Sequence, residues 1–373
     1  MGITIVPVDT ARARGDFLRV PWLVYRGNRC WVPPLISEMR RIIDARRNGY
    51  LRKGPFRLFV AYRGGRPVGR IMAGADEVTN GLKGKKEGWF SLFETVDDYE
   101  AARALLDAAG SYLAALGFDR MRGPVSPTGG DDFRGLLIDA FTSPPVLMDS
   151  YNPPYYREFL ERYGLAKHED LYAYYFYRRP PKNPHAVEYA QSRYGFTLHP
   201  LDLRRLERDI RDIKTVLDRA MPADWGDMVP PTLDEVREMA MSLKAFADPD
   251  LVIIARAGTE PVGFNVTLPD LNQVLIHLRG RLWPLGWLKF LYWRRRIDAL
   301  RFFVLFVVPE WRKRGVSAAI FHRTFEEARR KGITWGEGSS IGETNLPMRR
   351  DVERAGGQHY KTYRIYAGDL TRA

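Results

Sequence analysis

The amino-acid sequence predicts an α/β fold with a mixed sheet, made of two similar domains in tandem. Apolar stretches of strand length alternate along the chain with amphipathic helical stretches, which is the pattern of an α/β protein. The length of 373 residues is more than one hydrophobic core usually serves, so two domains are expected. Short landmarks also recur at a nearly constant spacing, which indicates that one fold is repeated.

Four landmarks carry the repeat. Pro67-Val68-Gly69 recurs as Pro261-Val262-Gly263, 194 residues later. The other pairs lie 192 or 193 residues apart: Asn152 and Asn345, Gly164 and Gly356, and Tyr174 and Tyr366. We therefore predict a first domain over residues 1–178, a Pro-rich charged linker over 179–185, and a second domain over 186–373.

The predicted elements follow the same order in both halves. In the first half, we expect strands at 3–8, 58–62, 68–73, 89–93, 120–125 and 171–177, with helices at 11–25 and 99–116. In the second half, we expect strands at 196–198, 251–257, 262–268, 302–308, 333–335 and 360–366, with helices at 203–220, 232–246, after 315 and near 348–354. The second half carries about 20 extra residues, 277–298, between its hairpin and its central strand.

Composition limits the classes of function. The single cysteine, Cys30, excludes an internal disulfide and a multi-cysteine metal site, and the six histidines lack metal-ligand spacing, so no metal is predicted. The N-terminus lacks the pattern of a secretory signal, and no apolar stretch is long enough to span a membrane. A cytoplasmic location is therefore expected. The net charge of +13 suits nucleic acid, anionic lipid or a polyanionic cofactor.

The most informative stretch lies between the central strand of the second half and the helix that follows it. Pro309 closes the strand, and a basic turn ends in Gly315, just before the helix begins. The unpaired N–H groups and the dipole of a helix N-terminus favour an anion, and a glycine lets a ligand approach the backbone. The stretch therefore predicts a pyrophosphate site.

This stretch resembles the acyl-CoA-binding turn of the GCN5-related N-acetyltransferase (GNAT) superfamily. Its order is strand, V-x-P, R-x-x-G-x-small, helix, with Arg312, Gly315 and Ser317 at the fixed positions. The resemblance implies an acyl-CoA co-substrate whose pyrophosphate meets the turn and whose pantetheine arm follows the strand. The donor-binding residues it implies are Phe306, Val307, Val308, Arg312, Lys313, Arg314, Gly315, Val316, Ser317 and Asn345.

The first half carries acids where the second half has this basic turn. These residues are Glu94, Asp97, Asp98 and Glu100. Carboxylates start a helix well but repel a pyrophosphate. We interpret the first domain as a degenerate copy that supports the second domain or shapes the substrate cleft. The weaker alternative is that it binds an amine through these acids.

The GNAT resemblance also implies chemistry, namely attack of a neutral amine on a thioester carbonyl. A base must take the amine proton, and Glu337 is the first choice, because it follows a predicted strand beside the gap where GNAT members splay two strands. Glu343 and Asp270 are the next candidates. The stretch 345–356 resembles a GNAT motif whose catalytic tyrosine falls on Val352 here, so Tyr363 or release of free thiolate must replace that acid.

The extra residues 277–298, which we call the arm, are basic and aromatic. Between His277 and Ile297 there are six Arg or Lys residues and no acid. Trp, Tyr and flanking Arg favour the headgroup boundary of a membrane. We therefore expect Trp283, Trp287, Trp293 and Arg294 to rest on the inner face of an anionic membrane and to bring a lipid-like amine or acyl chain to the cleft. In this the chain resembles bacterial lipid N-acyltransferases of the ceramide type. The alternative is that the aromatic residues pack on the first half.

Two other function classes stay open at this point. Transferases that act on aminoacyl-tRNA or peptidoglycan precursors also use tandem acyltransferase folds, and an acyl carrier protein could replace CoA as the donor. A nucleic-acid-binding protein with an inactive GNAT fold would suit the net charge, but the basic residues are dispersed among acids and no known nucleic-acid motif is present. Nucleic acid is therefore not expected as a partner.

Overall fold

The computed structural model of the protein describes residues 2–177, 184–221, 228–244 and 246–370. The chain divides into two compact units. The first consists of Met1–Tyr172, Asn272–Arg295 and Lys361–Ala373, and the second consists of Ala173–Leu271 and Arg296–Tyr360. The division predicted at residues 178 and 186 rests on the sequence repeat and stays a prediction. Linker residues 179–183 lie outside the described part of the chain, whereas Pro184 and His185 begin a helix.

The described elements are numbered in chain order. The strands are β1 Ile3–Pro7, β2 Phe56–Arg63, β3 Arg66–Ala75, β4 Glu87–Thr95, β5 Arg120–Gly123, β6 Leu136–Leu137, β7 Ala166–Tyr177, β8 Thr197–Pro200, β9 Val252–Ala257, β10 Glu260–Pro269, β11 Ala299–Val307, β12 Trp335–Gly342 and β13 Gln358–Asp369. The helices are α1 Ala11–Val24, α2 Ile36–Ile42, α3 Glu77–Lys83, α4 Tyr99–Ala115, α5 Tyr155–Tyr163, α6 Pro184–Tyr194, α7 Leu206–Ala220, α8 Leu233–Leu243, α9 Asn272–Leu278, α10 Gly286–Arg294, α11 Val316–Arg330 and α12 Leu346–Arg354.

The first unit contains a mixed sheet in the order β1-β2-β3-β4-β5-β13, with β6 also paired to β13. Strands β4 and β5 are parallel, and the other pairs are antiparallel. Helix α4 buries one face against this sheet, with Leu105, Leu106 and Ala109 fully buried. Its apolar residues recur every three or four positions, as a helix packed on a sheet requires. Asp98 caps the helix by accepting a hydrogen bond from the Ala101 N–H at 3.3 Å.

The second unit contains a mixed sheet in the order β12-β11-β10-β9-β8. Strands β11 and β12 run parallel, and the remaining pairs are antiparallel. Helices α7 and α11 supply apolar side chains to one core with β9 and β10. This core includes Val216 from α7 and Ile320 from α11, both fully buried. The α/β class and the mixed sheet predicted from the sequence are confirmed.

Strand β12 corrects one predicted element. The sequence predicts a strand over 333–335, whereas the structure has one over Trp335–Gly342. Glycines hide the strand in the sequence because they are depleted in strands. A Cβ at Gly336 would lie 2.9 Å from the Phe302 ring, and one at Gly338 would lie 3.4 Å from the Phe176 ring. These glycines make room for aromatic rings that pack against the strand.

The hairpins of the two units share an irregularity at the Pro-Val-Gly landmark. In the first unit the register between β2 and β3 shifts between Tyr62↔Pro67 and Ala61↔Gly69. In the second unit the register between β9 and β10 shifts between Pro261 and Gly263. A β-bulge at the same place in both hairpins supports the interpretation of a repeated fold.

The bulge glycine of the second unit generates a stability prediction. A Cβ at Gly263 would lie 3.0 Å from the Phe306 carbonyl oxygen and 3.2 Å from side-chain carbons of Val307 and Val316. Gly263→Ala should therefore lower the free energy of unfolding by about 1–3 kcal/mol, because the added methyl overpacks the site. Chemical denaturation measures the change.

Gly15→Ala is the matched control. Gly15 lies within helix α1, and nothing lies within 4 Å of its added Cβ. This substitution should raise stability by about 0.4–1 kcal/mol through lower entropy of the unfolded chain. Equal effects of the two substitutions would contradict the packing assigned to Gly263.

Candidate functional site

The site in the second unit is built around the point where strands β11 and β12 part. Their parallel pairing joins Ala299–Phe302 to Trp335–Gly338, although β11 continues to Val307 and β12 to Gly342. On its other edge, β11 stays paired to β10 as far as Val307. Among the residues that the structure describes, no strand therefore pairs with the second half of β11 along the edge that faces β12.

The backbone of β11 determines which amide faces this opening. Val308 donates its N–H to the Val262 carbonyl of β10 at 3.0 Å. Because N–H groups of successive strand residues point to opposite edges, the N–H of Val307 points away from β10 and into the opening. Among the predicted strand residues Phe306, Val307 and Val308, Val307 is therefore placed to donate to a bound group.

The turn after β11 leads directly into helix α11. A single 3₁₀ turn spans Pro309–Trp311, and Lys313 and Gly315 then adopt positive φ angles of 64° and 82°. The first backbone bond of the helix is the one from the Ala319 N–H to the Gly315 carbonyl, at 2.9 Å. The N–H groups of Val316, Ser317 and Ala318 precede it and have no acceptor within the helix.

The basic residues of the turn have different roles in the structure. The Arg312 guanidinium donates to the carbonyl oxygens of Val307, at 3.3 Å, and of Ala220, at 3.0 Å. It therefore fastens the turn to the end of helix α7. The Arg314 guanidinium lies 5.0 Å from the ring centre of Trp311, whereas Lys313 is exposed. Direct contact of these three side chains with a pyrophosphate stays a prediction.

Packing also explains why Gly315 is a glycine, in addition to the ligand approach expected from the sequence. A Cβ there would lie 2.8 Å from the Cβ of Ala190 in helix α6. Its φ of 82° is also strained for any residue with a side chain. A substitution at Gly315 would therefore disturb the fold as well as ligand binding. For this reason it is a poor test of ligand binding.

Helix α12 supports the turn from the other side. Ser317 donates its hydroxyl to Asp351 Oδ2 at 3.1 Å, which joins the first turn of α11 to α12. Asn345 caps α12 by accepting a hydrogen bond from the Met348 N–H at 3.3 Å. The structure thus gives Asn345 a capping role, and its predicted contact with the donor stays a prediction. Val352, at the position of the GNAT tyrosine, is buried.

Glu337 lies inside strand β12, one residue before its pairing with β11 ends. It was expected at the end of a strand, but the structure buries its side chain completely. The Tyr360 hydroxyl donates a hydrogen bond to Glu337 Oε2. In the strand register, Glu337 faces Arg301 of β11, which is also fully buried.

Aromatic side chains flank the Glu337–Tyr360 pair. The Tyr175 ring stacks on Trp335 with centres 5.4 Å apart and meets the Tyr360 ring edge-on at 5.8 Å. Burial raises the pKa of Tyr175 to about 12, so its hydroxyl stays protonated near neutral pH. The carboxylate is therefore held beside a group of aromatic rings at the base of the opening.

The other predicted catalytic residues are dispersed. Asp270 is buried just after β10, and its backbone N–H bonds to the Ala299 carbonyl at 2.9 Å, near the start of β11. Glu343 follows the far end of β12, about 20 Å of extended chain from Glu337. Tyr363 is buried in the first unit, where it pairs with Leu137 of β6. Only Glu337 lies where the two strands part.

Sequence reasoning missed Tyr360 and Arg301 as site residues. Tyr360 opens the predicted strand 360–366, and it is one of three tyrosines there, so nothing in the sequence distinguishes it as a site residue. Arg301 begins the apolar run of β11, where one basic residue is a weak signal. The strand register reveals Arg301, and a side-chain hydrogen bond to Glu337 reveals Tyr360. The sequence alone contains neither of these pairings.

The arm contains the end of helix α9 and the whole of helix α10, and its base is attached to the first unit. Gly280 accepts a hydrogen bond from the Ile36 N–H at 3.1 Å and packs against the Trp22 ring. Helix α10 has no buried residue. Trp283 is 76% exposed and Trp287 41%, whereas Trp293 stacks on His277 with ring centres 3.7 Å apart.

Two kinds of feature are absent from the described residues. No helix among them is both long and apolar enough to cross a bilayer. Across the same residues, no three His, Cys, Asp or Glu side chains converge as a metal site would require.

Comparison of the whole chain with known proteins identifies its family. The chain is 30% identical to the bacterial ceramide synthase of Caulobacter vibrioides over 378 residues, covering 98% of this chain and 97% of that protein. It is also 30% identical to the protein YghO of Escherichia coli, covering 94% and 91% of the two chains. This protein belongs to the bacterial ceramide synthase family. No family model matches the chain.

Solved structures show that the chain has the tandem GNAT fold. A tandem GNAT protein from the clavulanic acid biosynthesis pathway aligns with a TM-score of 0.61 at 12% identity, covering 100% of this chain and 99% of that one. A GCN5-related N-acetyltransferase from Sphaerobacter thermophilus aligns with a TM-score of 0.56 at 12% identity, covering 98% and 96%. As a member of the ceramide synthase family with this fold, the protein is an N-acyltransferase. The family does not support the alternative of an inactive nucleic-acid-binding module.

Proposed function

We propose that this protein transfers an acyl group from an acyl-CoA thioester to the amine of a lipid-like acceptor at the cytoplasmic face of a membrane. The observation that carries the proposal is the opening between β11 and β12, with a directed backbone N–H on one side and a buried carboxylate at its base. The relative from Caulobacter vibrioides is named for making a ceramide, an amide of a long-chain amine, which supports a lipid-like acceptor.

The donor thioester would lie along the edge of β11 that faces the opening. Its pyrophosphate would meet the N–H groups of Val316, Ser317 and Ala318 at the start of α11, where the helix dipole favours negative charge. The Val307 N–H would donate to the thioester carbonyl oxygen and stabilise the negative charge that develops there as the amine attacks.

The acid–base chemistry would rest on Glu337 and Tyr360. The amine nitrogen forms a bond to the carbonyl carbon, its proton passes to the Glu337 carboxylate, and the carbon–sulfur bond breaks to release the thiolate. Tyr360 holds one carboxylate oxygen and so positions the base. Tyr363, the acid proposed from the sequence for the leaving thiolate, lies in the first unit.

The donor site is tested with CoA itself, since every acyl-CoA carries the same pyrophosphate. Ala318 is exposed in the first turn of α11. Ala318→Asp should weaken CoA binding at least tenfold, roughly 1.4 kcal/mol, because the new charge repels the pyrophosphate. The protein should stay folded, since an acid suits a helix N-terminus. Isothermal titration calorimetry measures the affinity.

Ala318→Asn is the neutral control and should bind CoA like the wild type. Asp98→Ala at the corresponding helix of the first unit should lower stability by about 0.5–2 kcal/mol through loss of the cap without changing CoA binding. Wild-type protein that binds no CoA, or equal losses in the Asp and Asn variants, would refute this donor site and favour an acyl carrier protein.

The base is tested by steady-state kinetics with a long-chain amine as acceptor. Glu337→Gln should lower kcat by about 10²- to 10⁴-fold and leave CoA affinity unchanged, because it removes the proton acceptor alone. Raising the pH should restore part of the rate by deprotonating the free amine. Full activity in this variant would indicate that Asp270 or Glu343 is the base instead.

Tyr360→Phe separates positioning from catalysis in the same assay. Without the phenol, Glu337 loses a hydrogen bond that favours its charged form, so the acid limb of the kcat/KM profile should move to higher pH by about one unit. Tyr175→Phe, which removes a neighbouring hydroxyl but keeps the ring, should leave the profile in place. A profile unchanged in Tyr360→Phe would remove Tyr360 from the mechanism.

Membrane docking is tested by vesicle sedimentation. Wild type should sediment with vesicles of phosphatidylcholine and phosphatidylglycerol, more weakly at high salt, because the arm combines exposed Trp with basic charge. Trp283→Ser/Trp287→Ser should lower vesicle affinity at least tenfold and stay folded, since both side chains are exposed. Trp293 is left intact because it packs on His277.

Val78→Ser/Leu82→Ser is the matched control. It removes two apolar side chains that are 50% and 70% exposed on helix α3, outside the arm. This variant should bind vesicles like the wild type. A wild-type protein that remains in the supernatant would refute docking, and equal losses in the two double variants would show that the arm has no special role.

A further inference from the structure

A surface cavity of about 390 Å³ lies between helix α9, which leads into the arm, and helix α10 of the arm. Its volume falls within the range of about 300–1,000 Å³ that is typical of small-molecule sites. The residues that line it are Ile276, His277, Arg279, Lys289 and Trp293. The cavity lies wholly within the first unit, and the acid–base groups described above belong to the second unit.

The chemistry of the cavity wall favours an anion. Arg279 and Lys289 bring two positive charges, and the lining includes no carboxylate. The acids that come next along the chain are Asp270 and Asp298, outside α9 and α10 on either side. Burial, followed by the charge of Lys289, lowers the pKa of His277, so its ring is neutral near pH 7 and contributes a hydrogen-bonding nitrogen.

The wall of the cavity is ordered by packing. The imidazole of His277 and the indole of Trp293 are nearly parallel, with an angle of 10° and a centre distance of 3.7 Å. Helix α9 is fixed in turn by Val274 and Leu278, which are buried. The cavity is therefore preformed, and a ligand would not have to order the arm in order to bind.

Exposed apolar side chains on helix α10 favour an anionic lipid over a free phosphate as the ligand. Leu288 and Leu291 of α10 lie on either side of Lys289 in sequence and are 48% and 47% exposed. A free phosphate would leave these side chains in water. Leu288 and Leu291 do not line the cavity, so they would contact the acyl chains of the surrounding bilayer while the basic groups of the cavity bind a phosphodiester.

We propose that this cavity binds the phosphodiester headgroup of an anionic phospholipid. The inference rests on the membrane docking proposed above and adds a specific site to it. Diffuse attraction responds only to the charge density of the membrane, whereas a built cavity also distinguishes the chemical group that bears the charge.

The test compares two kinds of vesicle with equal negative charge. One contains phosphatidylcholine with phosphatidylglycerol, and the other contains phosphatidylcholine with enough oleate to give the same surface potential. Wild-type protein should bind the phosphatidylglycerol vesicles at least tenfold more tightly in sedimentation. Arg279→Gln/Lys289→Gln should lose this preference and bind the two kinds of vesicle equally.

Arg281→Gln/Arg295→Gln is the matched control, since it removes two charges from the arm but none from the residues lining the cavity. It should bind both kinds of vesicle more weakly and keep the tenfold preference. Circular dichroism spectra that match the wild type show that each variant is folded.

Four outcomes would overturn the inference. Equal binding of wild type to the two kinds of vesicle would leave only diffuse attraction, with docking and acyl transfer intact. Loss of the preference in the control as well would place recognition outside the cavity. Binding of soluble sn-glycerol 3-phosphate as tight as that of the vesicles would make free phosphates the ligand. Absence of any sedimentation would refute the docking proposal itself, and the headgroup site proposed here would fall with it.

Discussion

The parallel pairing of β11 with β12 is the interaction on which the site of the second unit depends. The ladder joins four residues of each strand and then stops, so the end of β11 keeps one edge paired to β10, and no strand that the structure describes pairs with the other edge. Directed backbone groups are costly to bury without partners. A substrate that supplies those partners gains binding energy at the atoms where the reaction occurs.

The sequence predicted the type and order of most elements, because they depend on local patterns. Helix α4 and the hairpin of β9 and β10 follow from periodicity and turn residues, and both lie within a few residues of their predicted bounds. Strand β12 was placed too early, since Gly336 and Gly338 weaken its signal and owe their presence to aromatic rings that come from other elements.

The site was harder to predict than the fold, because its members come together only through tertiary structure. Glu337 was identified as a candidate, but its complete burial and its hydrogen bond with Tyr360 depend on tertiary packing. Gly315 was explained by ligand approach alone, whereas Ala190 of a distant helix also requires a glycine there. Arg312 similarly supports the turn through Ala220, 92 positions earlier in the chain.

The division of the chain into units has a consequence for how the protein is made. The chain passes from one unit to the other after residues 172, 271, 295 and 360. The sheet of the first unit includes β13, whose Tyr366 pairs with Gly123 of β5 and whose Tyr363 pairs with Leu137 of β6. During synthesis on the ribosome, an N-terminal unit usually folds before the rest of the chain has emerged. Here β5 and β6 must wait for more than 200 further residues before their partner strand exists. Nascent chains of this protein therefore carry an incomplete sheet edge through most of translation, and the two units reach their final form almost together.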